Sequence, residues 1–216
     1  MATTDINKVA VIGAGVMGAG IAAHIANAGI PVVLLDIVPE GAQNRNVVAE
    51  GAVAKMLKAD PAPFMHKRNA KLITTGNLED NLDLLKDCDW IVEAIIENLQ
   101  IKQDLYRKLE TVRKPTAVVS SNTSTIPLQD LVAGASDEFA RHFMITHFFN
   151  PPRYMRLLEV TSGVQTDPAV VDAVSAFVMK SWVRGWWCAR TRPDLLPTAS
   201  AFSGFRPRFW KRLPWG

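Results

Sequence analysis

Short apolar runs alternate with longer amphipathic stretches over the first 181 residues. The runs are rich in valine, isoleucine and leucine and end at glycine or polar residues, as buried strands do. They lie at 8–12, 31–35, 90–94, 117–120, 144–146 and 157–160. The stretches with helical spacing of apolar residues lie at 16–28, 41–59, 64–70, 99–112 and 168–180. Strands that alternate with helices predict a doubly wound α/β fold of the Rossmann type, with a parallel sheet covered by helices on both faces.

Composition narrows the class of protein. The chain has 216 residues, of which 48% are hydrophobic and 21% charged, which suits a globular protein. No apolar run approaches the roughly 20 residues of a membrane-spanning helix, and residues 1–15 lack the regions of a secretory signal. The cysteines, Cys88 and Cys188, fit neither a disulfide framework nor metal-ligand spacing. We therefore expect a cytoplasmic protein with no metal site and no membrane partner.

The first predicted strand runs into a glycine-rich turn, GAGVMG, at residues 13–18. Gly13 allows the tight turn, Gly15 allows a pyrophosphate to approach the backbone, and Gly18 allows the next helix to pack close to the strand. The N-terminus of that helix offers unpaired N–H groups and a partial positive charge to phosphates. The turn therefore predicts a dinucleotide-binding site.

Asp36 ends the second predicted strand, 18 residues after Gly18. An acidic residue at this place accepts hydrogen bonds from the adenosine ribose hydroxyls and repels a 2′-phosphate. The pattern therefore favours NAD over NADP as the cofactor. The alternative is that Asp36 is an ordinary turn residue at the end of a strand.

Four blocks of sequence resemble the 3-hydroxyacyl-CoA dehydrogenase family over residues 6–181. They are VIGAGVMGAGIA at 11–22, EAIIENLQIK at 93–102, SSNTSTI at 120–126 and HFFNPP at 147–152, with Glu159 beyond. Their order and spacing are more specific than any single block. The resemblance implies an NAD-binding Rossmann domain, here assigned to residues 1–183, which is followed in the family by a helical domain that forms the dimer.

The resemblance also implies a reaction. It is a step of fatty-acid β-oxidation, in which an L-3-hydroxyacyl-CoA becomes the 3-ketoacyl-CoA and NAD⁺ takes the hydride. The expected partners are an acyl-CoA substrate and, for the full-length family, a second copy in a homodimer, and no nucleic acid is expected. Two alternatives stay open: a dehydrogenase of a free 3-hydroxy acid, and an NAD-binding module without catalytic activity.

His147 is the candidate general base for the 3-hydroxyl proton, because it ends a predicted strand at the edge where open α/β sheets bind ligands. Glu159 lies 12 residues later and interrupts the apolar run 157–160. A carboxylate in such a strand is costly to bury unless it is paired, and pairing with His147 would orient the imidazole. The alternatives are a core histidine beside two phenylalanines and a solvent-facing glutamate on an edge strand.

The remaining site residues follow from the resemblance. Ser124 matches the family serine that touches the substrate hydroxyl and the nicotinamide, so it is assigned to both catalysis and cofactor binding. Asn150 matches a cofactor-contacting asparagine, and Glu97 and Lys102 match a pair near the nicotinamide-side ribose. For Glu97 and Lys102, the alternative is a solvated charge pair at the start of a helix.

The chain changes character after residue 183. From Lys180 onward it has eight Lys or Arg residues against Asp194 alone, and it holds five of the six tryptophans. Family members continue instead into a segment resembling GVVxxxDTPGFIANRI, which begins the helical domain and supplies an active-site asparagine. Synonymous codons can be chosen for residues 195–205 so that the same DNA, read one nucleotide out of frame, encodes Ile-Ala-Asn-Arg-Ile-Gly.

Residues 184–216 are therefore interpreted as an out-of-frame, poorly ordered tail rather than as a basic segment that binds nucleic acid or membrane. The helical C-terminal domain of the family is then missing, together with its asparagine and the second wall of the substrate cleft. We expect a chain of this sequence to be inactive, or nearly so, as a dehydrogenase.

Overall fold

The computed structural model describes residues 5–181 and 187–191, the latter as backbone alone. Its strands are β1 (Val9–Ile12), β2 (Val32–Asp36), β3 (Ile73–Asn77), β4 (Trp90–Glu93), β5 (Val118–Ser121), β6 (Phe143–Phe148), β7 (Leu157–Ser162) and β8 (Trp187–Thr191). They form one sheet in the order β3-β2-β1-β4-β5-β6-β7-β8. Strands β1 to β6 are parallel, β7 is antiparallel to β6, and β8 is parallel to β7.

Helices connect the parallel strands. Within the described residues they are α1 (Val16–Asn27), α2 (Val47–Met56), α3 (Leu99–Val112), α4 (Leu128–Leu131), α5 (Asp137–Arg141) and α6 (Pro168–Ser181), with 3₁₀ helices at Lys67–Leu72 and Leu82–Leu85. The strand order reverses between β1 and β4, because the chain first moves outward through β2 and β3 and then returns. The predicted doubly wound α/β fold is confirmed, and its switch point lies at the carboxyl ends of β1 and β4.

The core consists of two apolar clusters, one on each face of the sheet. On one face, Ile21 and Ile25 of α1 and Phe177 of α6 pack with Trp90 of β4. On the other face, α3 and α5 pack against alternate residues of the same strands. Because the central strands are buried on both faces, they are continuous apolar runs rather than alternating ones. This explains why the sequence pattern identified β1, β2, β4 and β5.

In the segment between β2 and β4, two sequence predictions were wrong and one strand was missed. The helix predicted over 41–59 is shortened to α2, because turns precede it: Gly41 has a φ of 69°, and the Asn44 side chain accepts the Asn46 N–H at 3.0 Å. The helix predicted over 64–70 is a 3₁₀ helix at Lys67–Leu72. Strand β3 was not predicted, because its sequence, ITTGN, is polar and only half buried, as the edge of a sheet allows.

The region predicted as a tail is described only in part. The backbone of β8 pairs with β7 in parallel, from Leu157 opposite Trp187 to Thr161 opposite Thr191. The other residues from 184 to 216 lie outside the described residues, so the domain boundary at 183 and the out-of-frame interpretation stay predictions. No helix in the described part of the chain is both long enough and apolar enough to cross a membrane.

Candidate active site

The turn after β1 requires glycine at two of its three predicted positions. Gly13 has a φ of 101°, and a Cβ on it would lie 2.5 Å from the carbonyl oxygen of Ala94. A Cβ on Gly18 would lie 1.7 Å from the carbonyl oxygen of Gly13, because α1 packs directly on the turn. No side chain fits at these distances. Gly13 and Gly18 therefore hold the turn and the start of α1 at the switch point.

Gly15, the third glycine of the turn, is predicted to let a pyrophosphate approach the backbone. It is exposed, and a Cβ on it would meet no atom of the described residues within 4 Å. It is also the N-cap of α1. No side chain caps the first N–H groups of α1 and no carboxylate in its first turn meets the positive end of its dipole, which fits a pyrophosphate.

Asp36 lies at the end of β2, beside the glycine turn. Its carboxylate accepts the N–H of Ala14 and the N–H of Ile37 at 2.6 Å. A carboxylate has about four lone-pair positions, so it can also accept hydrogen bonds from two ribose hydroxyls. These contacts fit the predicted role of Asp36 and show that it fixes the turn as well.

His147 and Glu159 lie opposite each other in the antiparallel pair β6–β7. The Nδ1 atom of His147 is 2.9 Å from Oε2 of Glu159. Glu159 is only 9% exposed, which rules out the alternative of a solvent-facing glutamate. Because the carboxylate engages Nδ1, the ring nitrogen that can exchange a proton with a ligand is Nε2. The predicted pairing of these two side chains is present in the structure.

Glu97 precedes α3 and is fixed by its surroundings. Asn98 caps the helix by accepting the Ile101 N–H at 3.1 Å. One carboxylate oxygen of Glu97 accepts the hydroxyl protons of Thr123 and of Thr125, the latter at 2.8 Å. Burial raises the pKa of the Glu97 carboxyl, but these hydrogen bonds and the Lys102 ammonium outweigh it, so the pKa lies below its usual range. Glu97 is therefore an anion at neutral pH.

Ser124 and Asn150 are both exposed, in the loops that follow β5 and β6. Asn122 ties the loop after β5 to the end of β6, because its side-chain oxygen accepts the Phe148 N–H at 2.9 Å. The loop after β6 also contacts α1, since a Cβ on Gly20 would lie 3.0 Å from Pro152. The loops that carry Ser124 and Asn150 thus lie at the carboxyl edge of the sheet, beside the glycine turn and the start of α1.

Lys102 is buried, although it is the predicted site residue with the longest charged side chain. Its side chain is 1% exposed, and its ammonium lies 2.6 Å from Oε1 of Glu93 and 3.3 Å from Oε2 of Glu97. The alternative of a solvated charge pair is therefore wrong for Lys102. Sequence reasoning missed Glu93, although a glutamate that ends an apolar strand required a partner.

Within residues 5–181, cysteine and metal-binding chemistry do not add to the site at the carboxyl edge of the sheet. Cys88 is buried, and burial raises the pKa of its thiol to about 11. Among the residues that the structure describes, no group of three or more His, Cys, Asp or Glu side chains could hold a metal ion.

The sequence model described as "3-hydroxyacyl-CoA dehydrogenase, NAD binding domain" matches residues 8–183. The chain belongs to this family. It is 54% identical over 191 residues to a probable 3-hydroxyacyl-CoA dehydrogenase of Deinococcus radiodurans, covering 88% of this chain and 55% of the relative. It is 42% identical over 205 residues to a probable 3-hydroxyacyl-CoA dehydrogenase of Bacillus subtilis, covering 88% and 26%.

Solved structures of the family share the fold. The crystal structure of FadB2 from M. tuberculosis superposes with a TM-score of 0.74 at 28% identity, covering 91% of this chain and 67% of that one. The family resemblance predicted from the four sequence blocks is thus confirmed, and with it the assignment of NAD as cofactor. The chain spans about half the length of the Deinococcus relative and about a quarter of the Bacillus one.

Proposed function

We propose that this chain supplies the NAD-binding half of a dehydrogenase that oxidises the 3-hydroxyl of a 3-hydroxyacyl-CoA to the ketone. The observation that carries the proposal is the 2.9 Å contact between His147 and Glu159, at the edge of the sheet that also holds the dinucleotide turn. A base for the hydroxyl proton and a site for the hydride acceptor are what this oxidation requires.

The residues of the turn would hold the cofactor by its polar groups. The N-terminus of α1 at Gly15 receives the pyrophosphate, and Asp36 accepts hydrogen bonds from the adenosine ribose. The negative charge of Asp36 disfavours a 2′-phosphate, which selects NAD over NADP. When bound, NAD⁺ accepts the hydride that leaves C3 of the substrate.

His147 acts as the general base. Its Nε2 takes the proton of the 3-hydroxyl, and the carboxylate of Glu159 at Nδ1 stabilises the resulting imidazolium. Ser124 hydrogen-bonds the substrate hydroxyl and Asn150 contacts the cofactor, as their positions in the family blocks imply. Both side chains are exposed at the carboxyl edge, which is compatible with these contacts.

Turnover tests the proposal, with acetoacetyl-CoA and free acetoacetate as alternative substrates. The assay follows NADH oxidation with this chain and with a chimera in which the second half of the Deinococcus relative replaces residues 184–216. We expect this chain to bind NADH, and the chimera to bind NADH and also to reduce acetoacetyl-CoA, because hydride transfer needs donor and acceptor held in register from both sides. Reduction of acetoacetate alone would favour a free hydroxy acid as substrate, and NADH binding without turnover by the chimera would favour a non-catalytic module.

We also propose that residues 184–216 are translated out of frame. The supporting observations are the change of composition after residue 183 and the family-like Ile-Ala-Asn-Arg-Ile-Gly in the displaced reading of residues 195–205. Sequencing the gene across codons 180–190 tests this proposal. An unbroken reading frame that encodes the tail as given would refute it.

A further inference from the structure

Glu93, the last residue of β4, is completely buried and has no part in the proposed proton transfer. Its Oε1 accepts hydrogen bonds from Lys102 Nζ at 2.6 Å and from the Ile95 N–H at 2.8 Å. Its Oε2 accepts hydrogen bonds from the hydroxyls of Tyr106 and Ser121, both at 2.6 Å. One carboxylate thereby joins β4, the loop after it, α3 and the end of β5.

The network continues outward from Glu93 through an unbroken series of contacts. Lys102 lies between Glu93 and Glu97, and the Glu97 side chain is 40% exposed at the carboxyl edge. Glu97 holds the hydroxyls of Thr123 and Thr125, the residues on either side of Ser124. The buried charge of Glu93 is thus connected to an exposed carboxylate and to the loop that carries the serine.

Burying the charges of Glu93 and Lys102 does not by itself stabilise the fold. Desolvation of a buried ion pair often cancels its attraction, so apolar residues of similar volume would stabilise the fold as well or better. A fully bonded network does fix the positions of its members, because each broken bond leaves a buried polar group unpaired. We therefore look for the effect of the network in the positions of Glu97 and of the loop that carries Ser124.

The sheet order assigns this network to one half of the dinucleotide. Asp36, on the adenosine side, ends β2, whereas Glu93 and Ser121 end β4 and β5 on the other side of β1. We infer that Glu93 is a positioning residue for the nicotinamide half of the bound NAD, acting through Lys102 on Glu97 and on the loop around Ser124. This inference rests on the proposed function.

The test compares two ligands on the full 216-residue chain. ADP has the adenosine and pyrophosphate of NADH but lacks the nicotinamide riboside. In Glu93→Gln the side chain keeps its size, but its amide nitrogen cannot accept a hydrogen bond from the buried donors. We expect the affinity for NADH, measured by calorimetry, to fall about tenfold or more, while the affinity for ADP stays within about twofold.

Two further variants make the result decisive. Glu110→Gln is the matched control, because Glu110 lies on the same helix and binds Ser136 instead; its affinities for both ligands should match those of the unmodified chain. Thr125→Val removes an exposed hydroxyl from Glu97 and does not touch the core. It should weaken NADH binding a few-fold and spare ADP, and it answers the question even if Glu93→Gln does not fold.

The outcomes separate the inference from the proposal beneath it. Equal loss of both ligands in Glu93→Gln, or an unchanged NADH affinity in Thr125→Val when Glu93→Gln does not fold, would mean that the network only supports the fold. That result overturns the inference and leaves the proposed function intact. If the unmodified chain bound ADP but not NADH, the proposed function itself would fail, and the inference with it.

Discussion

Strand β4 has a carboxylate at each end, and the two carboxylates have different kinds of partner. Asp89, just before the strand, accepts the N–H groups of Asn7 and Lys8 at 2.7 and 3.0 Å and pairs with Lys114. Glu93, at the other end, binds side chains of α3 and β5. The carboxylate of Asp89 fixes the backbone at the start of β1, and that of Glu93 binds Lys102, which also contacts the exposed Glu97.

The difference follows from the direction of the strands. In an open parallel sheet, ligands bind beyond the carboxyl ends, so only a charge at that end can act on a site. A charge at the amino end can contribute to stability alone. Variants at the two edges should therefore separate ligand effects from stability effects.

The largest expected effect is that of His147→Ala, near the carboxyl end of β6. Loss of a general base should lower kcat by about 10²–10⁴-fold and leave NADH affinity unchanged, measured as NADH oxidation and calorimetry on the chimera described above. His142→Ala is the control, because His142 precedes the amino end of the same strand, where its ring meets the Glu138 carbonyl. Near-normal turnover in His147→Ala would refute the proposal that His147 is the general base.

The second effect is on stability alone and comes from His24, which is buried in α1. Burial, followed by the positive charge of Arg153, lowers the pKa of His24 to about 4. The unfolded chain, with a histidine pKa of about 6.5, therefore binds the proton first. The free energy of unfolding should fall as the pH drops from about 6.5 to 4, by up to about 3 kcal/mol.

Denaturant unfolding at several pH values checks this dependence. The comparison is with His24→Gln, in which the decrease over the same pH range should be smaller by that amount, whatever its stability at neutral pH. Equal slopes for the two proteins would contradict the assignment to His24.

Asp89→Asn should show the smaller effect expected at the amino edge. The amide keeps one acceptor oxygen for the backbone N–H groups but loses the charge that pairs with Lys114. We expect the free energy of unfolding to fall by about 1–3 kcal/mol, with NADH and ADP affinities unchanged. A selective loss of NADH affinity, as expected for Glu93→Gln, would mean that the two ends of β4 do not differ in function.

The smallest expected effects are those of alanine substitutions at two glycines, Gly51 and Gly15, that have open space beside them. A Cβ on Gly51 or on Gly15 would meet no atom of the described residues within 4 Å, but only Gly15 lies at the glycine turn. Gly51→Ala, inside α2, should raise the free energy of unfolding by about 0.5–1 kcal/mol without changing NADH affinity. Gly15→Ala should fold normally and bind NADH more weakly, and equal NADH affinities in the two variants would argue against a pyrophosphate at Gly15.

The elements that the sequence predicted well are those whose burial determines their composition. The strands β1, β2, β4 and β5 begin as buried apolar runs, α1 is buried over most of its surface, and α3 and α6 each bury an apolar side. Strand β3 could not be found in this way, because Ile73–Asn77 is an edge strand that is held by its pairing with β2. Its register is a long-range property that a local pattern does not contain.

The same reasoning explains the site. His147 was found because it ends a predicted strand at the ligand-binding edge, and Glu159 because a carboxylate in an apolar strand needs a partner, which the neighbouring strand β6 supplies. Glu93 obeys the same rule, but its partners come from α3, where Lys102 and Tyr106 are one helical turn apart on the buried side. Lys102 contacts both Glu93 and Glu97, and that a buried glutamate shares the lysine depends on packing, which the sequence does not reveal.

The antiparallel pairing of β6 and β7 has a consequence for how this chain can vary. Successive residues of a strand point to opposite faces of the sheet, so a slip of one residue would turn Glu159 away from His147. A deletion that shifted β7 by one residue against β6 would therefore abolish the pair even though both residues remained in the chain. A change in the length of the loop at 149–156 leaves the alternation of β7 intact, so it would not by itself separate His147 from Glu159.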